Sequence, residues 1–113
     1  MSNNVILSDL KVSLNINTDD TSFDQEIILL VNPALTILHQ AGVDLSVFEL
    51  DKETKWDDLL LNPKPSVKGS IKSFISLYIR RLFDPATSSF LHNTLKERED
   101  EYLWRVIQGI EYD

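Results

Sequence analysis

The segment SVKGSIKSFISLYIRRLFDPATSSF, residues 66–90, leaves little freedom in how the chain can fold. Val67, Ile71, Phe74, Ile75, Tyr78, Ile79 and Leu82 recur at three- and four-residue steps and fall on one stripe of a helix running from about Val67 to Phe83. Asp84-Pro85 stops that helix, because proline cannot continue it and pushes its predecessor out of the α region. Thr87, Ser88 or Ser89 then caps a further helix reaching to about Ile107, whose Leu91, Leu95, Tyr102 and Val106 form an inner stripe. Phe90 and Trp104 lie together on a second face, so this terminal helix is expected to serve two neighbours. A helix hairpin thus closes the chain, and its first arm is the natural core element.

The upstream pattern supplies helices to pack against it. "LSDLKVSLNI", about Leu7 to Ile16, reads as a short amphipathic helix with Ser8 as N-cap and a Leu7–Val12 staple. A polar turn, "NTDDTSFD", offers Thr21, Ser22 or Asp24 as the cap of a second helix from about Asp24 to Ala41. Its apolar positions are Ile27, Leu30, Val31, Ala34, Leu38 and Ala41, and Gly42 ends it. Pro33 inside it predicts a kink or a restart; the alternative is that "EIILLV" is a strand and the helix begins at Pro33. "VDLSVFELDKETKWDDLL" reads as loop plus a short helix anchored by Trp56, and "NPKPSVKGS" interrupts any regular element twice. The expected architecture is all-α: one domain, residues 1–113, a small bundle of four to five helices with a long C-terminal helix pair and a flexible tail from about residue 108 to 113.

A chain of 113 residues buries roughly two thirds of the surface its unfolded form exposes, enough for one core. With no cysteine, a disulfide framework, a thiolate zinc site and a cysteine nucleophile are all excluded. "MSNNVILSDLKVSL" lacks the pattern of a secretory signal, and no apolar run approaches membrane-spanning length, so the chain is expected in the cytosol unless an assembly carries it out. The net charge of −7 disfavours binding to phosphates. Its distribution is uneven: residues 1–65 hold eleven acids against four bases, and residues 66–113 hold seven of each. The helix ending at Phe83 carries Lys68, Lys72, Arg80 and Arg81 and no acid, with the arginines at the end where cations favour the helix dipole.

No catalytic constellation is expected. His39 and His92 lie in separate helices without a ligand at helical spacing, which makes them ordinary side chains rather than metal ligands. Gly42, Gly69 and Gly109 are isolated, so no phosphate-cradling loop exists. Glu49, Asp51 and Glu53 alternate as hard-cation ligands do, yet the calcium-loop glycine and twelfth-position Glu are missing, so a solvated charge run is the better reading. Asp57-Asp58 beside Trp56 suits the positive end of a short helix. No cofactor, no metal and no catalytic residue is expected.

The run KEREDEY, residues 96–102, pairs Lys96 favourably with Asp100 and sets Glu97 against Glu101 at the same spacing. Its surplus acid beside a surplus-basic helix suggests that Arg80 and Arg81 of one copy meet Glu97, Asp100 or Glu101 of the next in a ring. Pairing of the same residues within one chain, across the corner, is the equally open alternative.

"SFISLYIRRLFDPATSSFLHNTLKEREDEYLWRV" resembles the C-terminal helix pair of the head-to-tail connector (adaptor, or head completion) proteins of long-tailed bacteriophages. There a Tyr-containing basic helix ends in Leu-Phe-Asp-Pro and Thr-Ser-Ser-Phe opens a helix ending near Glu-Trp-Arg. "VNPALTILHQAGV" and "WDDLL" are similar to that family's second helix and the segment before its third, so the resemblance covers about two thirds of the chain. Ala86 stands where a second proline is common, Pro33 interrupts a helix usually uninterrupted, and Leu103 replaces the acid that commonly precedes Trp. The resemblance implies a non-enzymatic virion protein, assembled as a ring, typically twelvefold, on the portal vertex. Its partners would be the portal protein, neighbouring copies of itself and a tail-side stopper or tail-completion protein, with viral DNA sliding through without specific binding and no membrane involved. Portal contact falls on Trp104, Ile107, Ile110 and Tyr112 by the same implication. An acidic channel wall would reduce DNA sticking, an expectation that fails if Lys68, Lys72, Arg80 and Arg81 line the channel. The alternative function is a small helical regulatory or protein-binding module, monomeric or dimeric, docking through Phe90 and Trp104.

Overall fold

The computed structural model describes residues 5–47, 49–59, 65–83 and 89–111, with side chains throughout these except at 65–66, 89–92 and 110–111. The described residues form five helices and no strand: α1 (Ile6–Ser13), α2 (Asp24–Gln40), α3 (Trp56–Leu59), α4 (Pro65–Phe83) and α5 (Ser89–Glu111). The all-α bundle expected from periodicity is the fold of the chain, and α2 is helical throughout, which removes the strand alternative for "EIILLV".

The ends of α1 differ from expectation. Val5, not Ser8, is the N-cap, and no side chain caps the helix; instead Val5 pairs in an antiparallel bridge with Lys55 and the Ile6 N–H donates to the Thr54 carbonyl at 3.0 Å. The Leu7–Val12 staple therefore has no place, and Val12 is 62% exposed. The helix stops at Ser13 rather than Ile16 because Asn15 turns left-handed (φ 60°). The Ile16 N–H then reaches the Lys11 carbonyl at 2.8 Å and the Asn15 N–H the Val12 carbonyl at 3.1 Å, the paired bonds of a Schellman closure. Gly42 (φ 107°) ends α2 in the same manner, with the Val43 N–H donating to the Leu38 carbonyl at 3.1 Å.

Helix α2 starts at Asp24 with Phe23 as N-cap, so none of Thr21, Ser22 and Asp24 acts as the expected side-chain cap. Pro33 does not restart the helix. It lies four residues after Leu29 on the exposed face, where water can serve the carbonyl that proline leaves without a donor. The opposite face buries Ile27, Ile28, Val31, Ala34, Leu35 and Leu38.

Helix α4 is the hub, packing against α5, α2 and α1. It opens at Pro65, in the first helical position that proline tolerates, two residues before the expected start. Val67, Ile71, Phe74, Ile75 and Ile79 are buried, whereas Leu82, placed on the same stripe by periodicity, is 37% exposed. Each full burial stabilises by about 1.5–3 kcal/mol before the entropy of ordering is subtracted. Trp56 supplies the floor beneath α1: it is 2% exposed, its indole N–H donates to Asp9 Oδ2 at 2.7 Å, and the Lys72 ammonium sits 5.3 Å from its ring centre. A second polar tie is buried. Lys11 Nζ stands 2.7 Å from Asp24 Oδ1, with both side chains under 10% exposed, and also donates to the Thr18 carbonyl at 3.1 Å, locking the α1–α2 turn.

Helix α5 runs to Glu111, four residues past the expected Ile107, so residues 108–111, anticipated as tail, continue the helix. Gly109 explains the extension: a Cβ there would lie 2.5 Å from Val67 Cγ2, so the two helices touch at this point only because the residue has no side chain.

Candidate functional site

The bases of α4 are almost all engaged by acids of the same chain. Lys68 is ion-paired to Asp57, which holds that carboxyl below its ordinary value, and Lys72 lies 4.0 Å from Asp9. Arg81 grips Glu99 through two bonds, Nη2 to Oε1 at 3.1 Å and Nε to Oε2, and this contact raises the guanidinium further above its ordinary value. Of the two readings left open for the arginines, the structure thus takes the intrachain one for Arg81, which is 15% exposed at its side chain. Its partner is Glu99 rather than Glu97, Asp100 or Glu101. Arg80 is exposed and has no ion-pair partner among the described residues.

Glu99 was not singled out from the sequence, although a signal existed. Leu95, Glu99, Tyr102 and Val106 share one helical stripe, and Glu99 is 1% exposed on it, an acid on an apolar face turned toward a basic helix. The remaining acids of the run point outward. Asp100 takes Lys96 at 3.2 Å, as the spacing predicts, and Glu101 takes Arg105 at 3.0 Å, a pair that offsets its repulsion from Glu97. Such exposed pairs contribute little to stability.

Trp104 is 60% exposed, while Val106 of the same helix is fully buried and Ile107 half-buried. An indole that stays this exposed adds little to the core. Ile110 and Tyr112, grouped with it by resemblance, and Phe90, expected beside Trp104, lie outside the described side chains. So does the Asp84-Pro85 corner with its capping residues 87–88.

On another side of the hairpin, Lys72, Ser73, Ser76, Leu77, Arg98 and Tyr102 line an open groove of about 300 Å3 between α4 and α5. Arg105 borders it, its guanidinium 5.6 Å from the Tyr102 ring centre. The acidic segment 49–53 forms a tight turn instead of a cation loop: Asp51 Oδ1 accepts from the Glu53 N–H at 2.8 Å and the Thr54 hydroxyl at 2.9 Å, and the first of these lowers its pKa. Glu49, Asp51 and Glu53 are all exposed, while Leu50 between them is buried and donates its N–H to Asn32 Oδ1 at 3.2 Å. Among the described residues no three His, Asp or Glu side chains are placed to hold a metal, and no helix is long and apolar enough to cross a membrane. His39 lies on the exposed side of α2, and His92 is outside the described side chains.

The family described as Phage connector protein matches residues 6–113 of the chain. No curated protein matches, and no solved structure matches.

Proposed function

Because the chain belongs to the phage connector protein family, a family of structural virion proteins, we propose that it assembles as a ring on the portal vertex, joining the DNA-filled capsid to the tail and extending the DNA channel. Subunits are made in the host bacterial cytoplasm and act without catalysis or cofactor. The portal protein lies on one side of the ring, a tail-side stopper or tail-completion protein on the other, and DNA passes without specific binding.

The observation that carries this reading is Trp104, exposed on a helix whose opposite stripe is buried. A rigid indole fits a pocket on the portal with little loss of side-chain entropy, which is why aromatic anchors dominate interface energetics. Ile107, one turn on, extends the same surface, and Ile110 and Tyr112 join it by sequence position. Between copies, Arg80 faces the acids of a neighbour, Glu97, Asp100 or Glu101, all exposed. Arg81 belongs to the fold rather than to that contact, since Glu99 holds it.

The negative net charge suits a wall past which phosphates slide. Lys68, Lys72 and Arg81 are neutralised within the subunit, which lessens the basic character α4 would otherwise bring to a channel. Replacing Trp104 with Ala tests the reading: helicity and melting stay near wild type while recruitment to cognate portal rings, counted in electron micrographs, is lost. Equal loss of folding would make Trp104 a core residue and end the proposal.

A further inference from the structure

We propose that the groove between α4 and α5 receives the acidic turn 49–53 of a second copy of this chain, an inference that rests on the ring reading and names the segment that reaches across. Arg98 is exposed at the groove and has no carboxylate partner among the described residues, although the chain carries surplus acid. Lys72, 4.0 Å from Asp9, and Arg105, paired with Glu101, already have acids of their own, so Arg98 is the cation the groove leaves over, with the hydroxyls of Ser73 and Ser76 and the side chains of Tyr102 and Leu77 in the same lining. An unpaired guanidinium beside hydroxyl donors and apolar side chains suits a carboxylate carried on a short side chain.

The turn has the matching form. Leu50 and Thr54 are buried at either end of it, and Asp51 ties its own backbone, so Glu49 and Glu53 are presented from a preorganised support. Neither glutamate has an ion-pair partner among the described residues, and Lys52 beside them is exposed, leaving the turn net negative. The turn packs on α1 and α2 through the Thr54 and Asn32 bonds, whereas the groove is built from α4 and α5. Within one chain Arg98 on the one side, and Glu49 and Glu53 on the other, have no ion-pair partner among the described residues. A head-to-tail contact between copies satisfies both, and a contact of that kind closes into a ring when its rotation divides the circle. A protein carboxylate is favoured over a nucleic acid because a molecule of charge −7 repels a duplex as a whole, while it attracts its own acid only at a local basic groove.

The test mixes two variants of the full chain, R98E and the double variant E49R/E53R, in sedimentation velocity runs at millimolar protein and low salt. Wild type should self-associate weakly and lose that association in high salt; each variant alone should stay monomeric with wild-type circular dichroism. The equimolar mixture should associate again, because one interface then joins wild-type turn to wild-type groove and the next joins a basic turn to an acidic groove. Absence of wild-type association under these conditions, association retained by R98E, or failure of the mixture to recover would each overturn the proposal. So would salt-sensitive binding of a labelled DNA duplex that R98E abolishes, which would assign the groove to nucleic acid. Recruitment to portal rings is read separately: if R98E still decorates portals like wild type while self-association is unaffected, the groove assignment falls and the connector role stands.

Discussion

Arg81 and Glu99 face each other across the α4–α5 hairpin in a two-bond clamp, the carboxylate almost wholly buried and the guanidinium nearly so. Their burial is unequal, and so are the expected costs of losing either. R81M leaves Glu99 without a counter-charge at a fully buried site and should destabilise by about 3–5 kcal/mol, whereas in E99L the longer Arg81 side chain can swing its head to water, giving a smaller loss. The double variant R81M/E99L should recover most of the stability. Urea unfolding of the three proteins measures this, and the double variant should still be recruited to the portal.

Lys11 and Asp24 form the second buried pair, joining the last turn of α1 to the first turn of α2. K11M removes the charge and also the donor to the Thr18 carbonyl, so about 3–5 kcal/mol should be lost, with D24L added in the same chain restoring part of it. Denaturant midpoints at neutral pH decide the matter; an unchanged midpoint in K11M would mean that water reaches Asp24.

At Gly109 two effects of opposite sign compete. Alanine gains about 1 kcal/mol in helix propensity, but its Cβ collides with the stiff, β-branched Val67, and overpacking of this kind costs about 1–3 kcal/mol. G109A should therefore destabilise the wild type. In a V67A background, where the obstructing methyl is gone, the same change should stabilise, and that reversal of sign in thermal melts is the diagnostic.

Part of the acid sensitivity should come from surface carboxylates. Asp20, held by the Ser22 N–H, Asp51, held by the Glu53 N–H, and Asp57, held by Lys68, all lie below the ordinary value of 3.8 in the folded chain. A depressed folded pKa means that the charged form is favoured by folding. The stabilisation is complete above the ordinary value and is lost as pH falls through the lowered folded values. Melting temperature followed against pH should show a drop on that acid limb, and D51N should flatten it.

Helices α2 and α4 were legible in the sequence because their apolar residues keep the helical period and because Gly42 punctuates the first in a way that local chemistry alone dictates. Trp56 as the anchor of a short helix was legible for the same reason, since the two acids after it suit only a helix start. The Arg81–Glu99 and Lys11–Asp24 pairs were not, because a buried ion pair is defined by a partner from another helix and leaves no local pattern. The start of α1 was misjudged through competition: a backbone bridge to residues 54–55 outbid Ser8 as the cap. The end of α5 was misjudged because Gly109, ordinarily a terminator, serves here as a point of close approach. Of the candidate interface residues, Arg80, Glu97, Asp100, Glu101 and Trp104 are exposed, and Arg81 is held by Glu99.

The opposite environments of the chain's two tryptophans make it a self-reporting molecule. Trp56 is shielded from solvent, with its N–H on Asp9 and Lys72 near its ring, and should report the opening of the fold, whereas Trp104, 60% exposed, should report whatever covers it. Exposure of the first on unfolding should move its emission to longer wavelength and burial of the second on docking should move it to shorter, so folding and assembly would be followed separately in one cuvette without any added label.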